Sequence, residues 1–131
     1  MRRTGCYGTC PIYTVSIFGD GRVVFEGKRY VAVRGRREAH LSVATVQQLA
    51  QDFLEAKFLE LKDSYIASVT DNPSTFTTFN YGGQHKTVED YVAGPPELKR
   101  LEAEIDRVSK IVQWICKGDD PRTEICSAVK K

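Results

Sequence analysis

The stretch GCYGTCPIYTVSIFGDGRVVFEG, residues 5–27, decides the fold of this chain. Two cysteines and a proline come first, and residues 12–18 then alternate between apolar and polar side chains. Alternation with a period of two is typical of a half-buried strand. A second apolar segment, residues 22–26, follows after a Gly-Asp-Gly turn, so the stretch predicts a β-hairpin.

Burial selects one register for this hairpin. A three-residue loop, residues 19–21, puts Val15 opposite Phe25 on one apolar face. A two-residue turn would instead put Val15 opposite Glu26, which mixes apolar and charged side chains on that face. We therefore predict the three-residue loop, with Gly21 in the left-handed conformation.

The rest of the chain predicts three more strands and two helices. Ser42 is a good N-cap for the first helix, which should end near Lys57. We therefore predict an α+β fold, a mostly antiparallel sheet of about five strands with two helices packed on one face, in the order βββαββα. The downstream strands are expected at residues 29–33, 74–81 and 84–91, with a polar loop at 34–40 and a Gly-Gly turn at 82–83.

The longest predicted element is a single helix over residues 96–116. Its apolar residues recur every three or four positions, which is typical of one buried helix face. Two i,i+4 ion pairs, Arg100–Glu104 and Asp106–Lys110, are expected on the exposed side. The apolar stripe consists of Leu98, Leu101, Ile105, Val108, Val112 and Ile115.

Size and composition narrow the class of protein. We expect one domain over residues 1–131, with a folded core at 5–116 and a tail at 117–131. The 19 basic and 17 acidic residues nearly balance, so we expect no nucleic-acid partner. No apolar run reaches the roughly 20 residues that span a bilayer, so we expect no membrane insertion. No motif predicts a cofactor or a metal.

Four cysteines lie in two local groups, Cys6 with Cys10 and Cys116 with Cys126. Four cysteines allow three pairings, of which the two local ones are the simplest, and the second would pin the tail to the end of the long helix. A zinc site is disfavoured, because zinc ligands usually come as pairs two to four residues apart and the second pair is separated by nine residues.

The cysteine content favours an oxidising compartment. We therefore expect a periplasmic, envelope-attached or secreted location. Met1, Arg2 and Arg3 contain no apolar leader, so we expect that a leader has been removed. The two arginines are expected at a frayed terminus, which leaves the cysteines without an ordered cation to activate them as thiols.

No catalytic constellation stands out, and we predict no catalytic residues. Polar residues in loops can bind ligands, although turn chemistry also explains Asp71 and is the favoured interpretation. The candidate ligand-binding residues are Tyr13, Asp63, Tyr65, Thr70 and Asp71.

The motif Gly5-Cys6-x-Gly8-x-Cys10-Pro11-x-Tyr13, followed by Asp20-Gly21-x-Val23-x-Phe25-x-Gly27, resembles an uncharacterised bacterial family, the domain of unknown function 6438 family. Later blocks are similar too, and the resemblance spans residues 5–105. The resemblance implies an envelope or secreted setting, and it supplies no activity and no catalytic residues. The later blocks are Leu61-x-Asp63-x-Tyr65, Thr70-Asp71 and Lys86-x-Val88-x-Asp90-Tyr91.

The leading hypothesis is a non-enzymatic binding or structural module of the bacterial envelope or secreted space. One alternative is a thiol-active or hydrolytic enzyme that uses Cys6 or Cys10. Another is a secreted inhibitor or effector with a protein target. The partner is left open between a protein and a small-molecule ligand.

Overall fold

Seven strands, numbered along the chain, form one sheet in the computed structural model, which describes residues 1–116. Their bounds are β1 Arg2–Arg3, β2 Ile12–Ile17, β3 Arg22–Arg29, β4 Gly35–His40, β5 Ser64–Ile66, β6 Thr75–Tyr81 and β7 Gln84–Tyr91. The order across the sheet is β4-β3-β2-β1-β6-β7-β5. All neighbouring strands are antiparallel except β5 and β7, which are parallel.

Three helices accompany the sheet: α1 Val43–Glu55, α2 Pro96–Ser109 and α3 Val112–Ile115. A short 3-10 turn, Phe58–Glu60, follows α1. Alternate residues of the strands and the apolar faces of the helices share one core, so the helices lie on one face of the sheet. The α+β class with helices on one face is therefore confirmed. The central core residues include Tyr13, Val15, Phe25, Phe53, Val88, Leu98 and Ile105.

The predicted hairpin register is confirmed. Val15 lies opposite Phe25, and Ile17 lies opposite Val23. Gly21 has φ +97°, and a Cβ there would lie 2.2 Å from the Leu41 carbonyl oxygen, so the turn requires glycine. The Gly-Gly turn between β6 and β7 is also confirmed.

The prediction of five strands and the order βββαββα were wrong in detail. The stretch expected as a polar loop contains β4, an edge strand on which only Ala39 is even partly buried. Charged residues are typical of such edges, so β4 lacks the apolar alternation that marks a strand. Residues 30–33, most of the strand predicted at 29–33, form a turn in which Tyr30 has φ +57°.

The prediction of one helix over residues 96–116 was also wrong, because the helix ends at Ser109. Lys110 takes the left-handed conformation, and its N–H donates to the Arg107 carbonyl while the Ile111 N–H donates to the Asp106 carbonyl. This pair of bonds is the Schellman motif, here without its usual glycine. The break turns Trp114 into the core, where its ring lies 5.0 Å from that of Phe25.

Candidate functional site

The disulfide loop lies at one end of the sheet. The Sγ atoms of Cys6 and Cys10 are 2.02 Å apart, as in a disulfide, and the loop between them connects β1 to β2. The Tyr7 N–H donates to the Asp71 carbonyl over 3.3 Å. The loop therefore lies beside the turn before β6. The second predicted pair, Cys116 with Cys126, involves a residue outside the described part of the chain.

Four exposed apolar side chains lie on the loops and strand ends at this end of the sheet, and we name them the loop surface: Tyr7, Ile66, Val69 and Val92. Their exposed fractions are 87%, 63%, 46% and 44%. Ile66 and Val92 face each other in a β-bridge, and the Tyr91 hydroxyl donates to the Val69 carbonyl over 3.0 Å. Clustered exposed apolar groups mark interaction sites more often than scattered ones do.

The predicted ligand-binding residues are spread over this half of the sheet. Thr70 and Asp71 lie in the turn beside the loop surface, and Asp71 has φ +63°. Asp63 pairs with Lys86 at 2.7 Å. The Tyr65 hydroxyl accepts a hydrogen bond from the Lys62 N–H at the start of β5. Their ligand-binding role stays a prediction.

Tyr13 lies apart from these residues, in a buried ion cluster made of Arg3, Tyr13, Thr75 and Asp106. Arg3 donates to an Asp106 carboxylate oxygen at 2.6 Å, to the Tyr13 hydroxyl at 2.8 Å and to the Thr75 hydroxyl at 2.8 Å. The Tyr13 hydroxyl donates to the other Asp106 oxygen at 2.9 Å. Burial raises the pKa of Tyr13, which keeps this phenol protonated and able to donate.

Sequence reasoning missed this cluster. Arg3 was expected at a frayed terminus, but it belongs to β1, which lies between β2 and β6. Asp106 was expected in an exposed pair with Lys110, but it is only 3% exposed and binds Arg3. The sequence signal that could have indicated the burial of Asp106 was its position directly after Ile105, a residue of the apolar stripe.

A second buried polar group is the carboxyl pair Asp90 and Glu102, and the Glu102 Oε2 atom has no hydrogen-bond partner among the described residues. Burial and the neighbouring Asp90 raise the pKa of Glu102 to about 8, so Glu102 is protonated at neutral pH. Asp90 also accepts from the Gly94 N–H at 2.8 Å and from Lys99 at 3.0 Å. A Cβ at Gly94 would lie 2.5 Å from the Asp90 carboxylate.

The chemical use of these groups is limited by access. Asp90 is 4% exposed and Glu102 is 7% exposed, and they lie where β7 meets α2. A general acid must reach its substrate within hydrogen-bond distance, which this burial prevents.

In residues 1–116, no three His, Cys, Asp or Glu side chains form a group that could hold a metal ion. None of the described helices is long and apolar enough to cross a membrane.

The fold and these sites define a class: a small α+β domain with a disulfide-closed loop at one end and buried polar groups under its second helix. The family model for the domain of unknown function DUF6438 matches residues 1–109, so the chain belongs to that family. Comparisons with curated proteins and with solved structures found no match.

Proposed function

We propose that this protein is a non-enzymatic binding module that acts in the bacterial envelope or secreted space and contacts a partner protein through the loop surface. The single observation that carries the proposal is the exposure of Tyr7, at 87%, on a loop that the Cys6–Cys10 bond closes. Closing a loop lowers the entropy cost of ordering it against a partner.

The state of the polar groups supports a binding role over catalysis. In the disulfide, neither Cys6 nor Cys10 carries the thiolate that a thiol enzyme needs. The groups of the ion cluster satisfy one another, and the carboxyl pair is buried away from solvent. The apolar loop surface is accessible, and aromatic residues such as Tyr7 are enriched at interfaces.

A photo-crosslinking experiment tests the proposal. The photoreactive amino acid benzoylphenylalanine replaces Tyr7 in one variant and exposed Gln48 of α1 in a control. In the native host, we expect the Tyr7 variant to give one adduct of defined mass. Excess unlabelled wild-type protein should prevent formation of this adduct, whereas excess Val69→Asp protein should not. Absence of such an adduct, or equal adducts from both positions, would contradict the proposal.

Fractionation of the same cells tests the compartment. We expect the protein in the periplasmic, envelope or secreted fraction, with Cys6 and Cys10 blocked to alkylation in denaturant until a reductant is added. Recovery in the cytosol with freely alkylated cysteines would contradict the envelope location and favour the thiol-active alternative.

A further inference from the structure

One lysine of α2 lies against the buried carboxyl pair. The Lys99 Nζ atom is 3.0 Å from the Asp90 Oδ2 atom, and it approaches from near the start of the helix. The Asp90 side chain is 3% exposed, whereas that of Lys99 is 49% exposed. The contact therefore joins a carboxylate shielded from water to an amine with an open path to solvent.

The main chain between β7 and α2 holds the other Asp90 oxygen. The Gly94 N–H donates to Oδ1 at 2.8 Å. A Cβ at Gly94 would lie 2.5 to 2.7 Å from the three carboxyl atoms of Asp90, so only glycine lets the main chain lie this close. An N–H fixed on a carboxyl oxygen is the arrangement that stabilises the negative charge of a tetrahedral intermediate.

Glu102 supplies an acid beside the same carboxyl group. It is 7% exposed, and its Oε2 atom is buried without a hydrogen-bond partner among residues 1–116. Burial and the neighbouring Asp90 raise its pKa, and the nearby cations Arg3 and Lys99 do not reverse this shift. A buried, protonated carboxyl group next to a second carboxyl group can act as a general acid toward it.

We propose that Lys99 and Asp90 react to form an isopeptide bond within the folded chain, with Glu102 as the general acid. The lysine amine is the nucleophile, the Asp90 carboxyl carbon is the electrophile, and the Gly94 N–H stabilises the oxygen that remains. The nucleophile belongs to the same chain, so the burial that excludes external substrates does not separate Lys99 from Asp90. Groups that the fold holds in contact gain the rate advantage of an intramolecular reaction.

The reaction needs no co-reactant. It starts from an ammonium group and a carboxylate, and a proton first passes from Lys99 to the Asp90 Oδ2 atom. The Nζ atom then bonds to the Asp90 carboxyl carbon, and the bond from this carbon to Oδ2 breaks, while Glu102 donates a proton to Oδ2 and takes one from the nitrogen. One ammonium proton stays on the amide nitrogen, and the other two balance the water that leaves with Oδ2. Glu102 ends protonated as it began, because burial, the largest cause of its raised pKa, is unchanged.

Two other lysines lie even closer to a carboxylate, but in a different environment. Lys28 is 2.6 Å from Glu26, whose side chain is 52% exposed, and Lys86 is 2.7 Å from Asp63, whose side chain is 89% exposed. Water solvates these two carboxylates and competes for their oxygens. They are internal controls, because a reaction that depended on distance alone would occur at Lys28 and Lys86 as well.

The isopeptide bond ties the end of β7 to the start of α2 and closes residues 90–99 into a ring. A covalent link between two elements limits the local opening that exposes a chain to proteases. This property suits the envelope or secreted setting proposed above. The bond does not involve the loop surface, so the two proposals stand or fall separately.

Mass spectrometry of the whole chain, with its disulfides reduced, tests the proposal. We expect the wild type to be lighter by one water molecule than the mass calculated from its sequence. Trypsin should fail to cut after Lys99, and residues 87–100 should appear as one peptide that lacks one water and gives no fragments from within the ring of residues 90–99. Trypsin should cut after Lys28 and Lys86 as usual.

Three variants identify the reacting groups. Lys99→Arg keeps the positive charge beside Asp90 but removes the nucleophilic amine, so it should have the full mass. Glu102→Gln should slow bond formation about a hundredfold or more, so freshly purified protein should be mostly unbonded. Lys110→Arg, at the exposed end of α2, is the matched control and should lose one water as the wild type does. Circular dichroism verifies each fold, and if Glu102→Gln does not fold, the Lys99→Arg comparison decides alone.

A wild-type chain of full mass, with normal cleavage after Lys99, would overturn the proposal. A loss of water that persists in Lys99→Arg would also overturn it, because the loss would then come from a cyclic imide of Asp90. Equal bonding at Lys28 or Lys86 would mean that proximity alone drives the reaction. Equal bonding in Glu102→Gln and the wild type would contradict the role of Glu102 as the general acid.

Discussion

The space between β2 and β6 differs between its two ends. Near the disulfide loop, at what we call the closed end, β1 fills this space, and Arg3 and Asp106 join the sheet to α2 by buried charges. Toward α1, at what we call the open end, the two strands and the inner face of that helix line an apolar groove. The closed end gains stability from polar groups that satisfy one another, and the open end presents apolar side chains along the groove.

Removing the charge at the closed end should have the largest effect. Asp106→Ala leaves Arg3 and the Tyr13 hydroxyl without their shared acceptor, so we expect a loss of about 3 kcal/mol in the free energy of unfolding. Urea denaturation measures it. The control is Glu104→Ala on the same helix, whose exposed pair with Arg107 should contribute much less to stability. Equal losses in the two variants would show that the buried cluster contributes no more to the free energy of unfolding than an exposed ion pair does.

The carboxyl pair Asp90 and Glu102 should make the free energy of unfolding depend on pH. The pKa of Glu102 is raised from 4.5 to about 8 in the folded protein, so the folded state holds a proton that the unfolded chain has lost. The free energy of unfolding should therefore fall as pH rises across this window, on the order of a few kcal/mol, and level off above it.

Glu102→Gln is the matched variant for this pH dependence. Glutamine keeps an N–H donor toward Asp90 but does not titrate, so the slope between pH 5 and pH 8 should flatten in thermal or urea melts. An unchanged slope would mean that Glu102 ionises normally in the folded protein.

The disulfide comes next in expected size. In the chain-entropy account, the short loop closed by Cys6 and Cys10 contributes about 2 kcal/mol. The double variant Cys6→Ser, Cys10→Ser should lose about this amount, and reduction of the wild type should give the same shift in the urea midpoint. If neither treatment changes the midpoint, the disulfide does not stabilise this end of the sheet.

A change at the open end should have the smallest effect and the opposite sign. Ala50→Leu adds apolar volume to the groove, and we expect a gain of about 1 kcal/mol in thermal melts. Ala44→Leu, outside the groove, should leave stability unchanged. A loss with Ala50→Leu would show that the groove has no free space for a side chain.

The sequence predicted the elements whose signals are local. The β2–β3 register followed from the burial of Val15 and Phe25, and the first helix followed from the Ser42 cap, whose hydroxyl accepts the Thr45 N–H. Both signals lie within a few residues of the element that they define.

The missed features depend on partners far away in the chain. β1 is short and basic, and its charge is compensated by Asp106, 103 residues away from Arg3. The helix break at Lys110 has no glycine or proline, and it is stabilised by Trp114 packing on Phe25. The loop surface and the groove could not be predicted from the sequence either, because each consists of segments that only the folded sheet brings together.

Residue-resolved hydrogen exchange by NMR tests this difference between the closed end and the open end most directly. We expect protection of the Thr4 and Val15 amides, which donate to Ser74 and Met1. The Ile17, Thr78 and Asn80 amides lie on the parts of β2 and β6 that β1 does not reach, so they should exchange at least about tenfold faster. Equal protection of both groups would contradict the account, because it would mean that main-chain bonds close the space between β2 and β6 along its whole length.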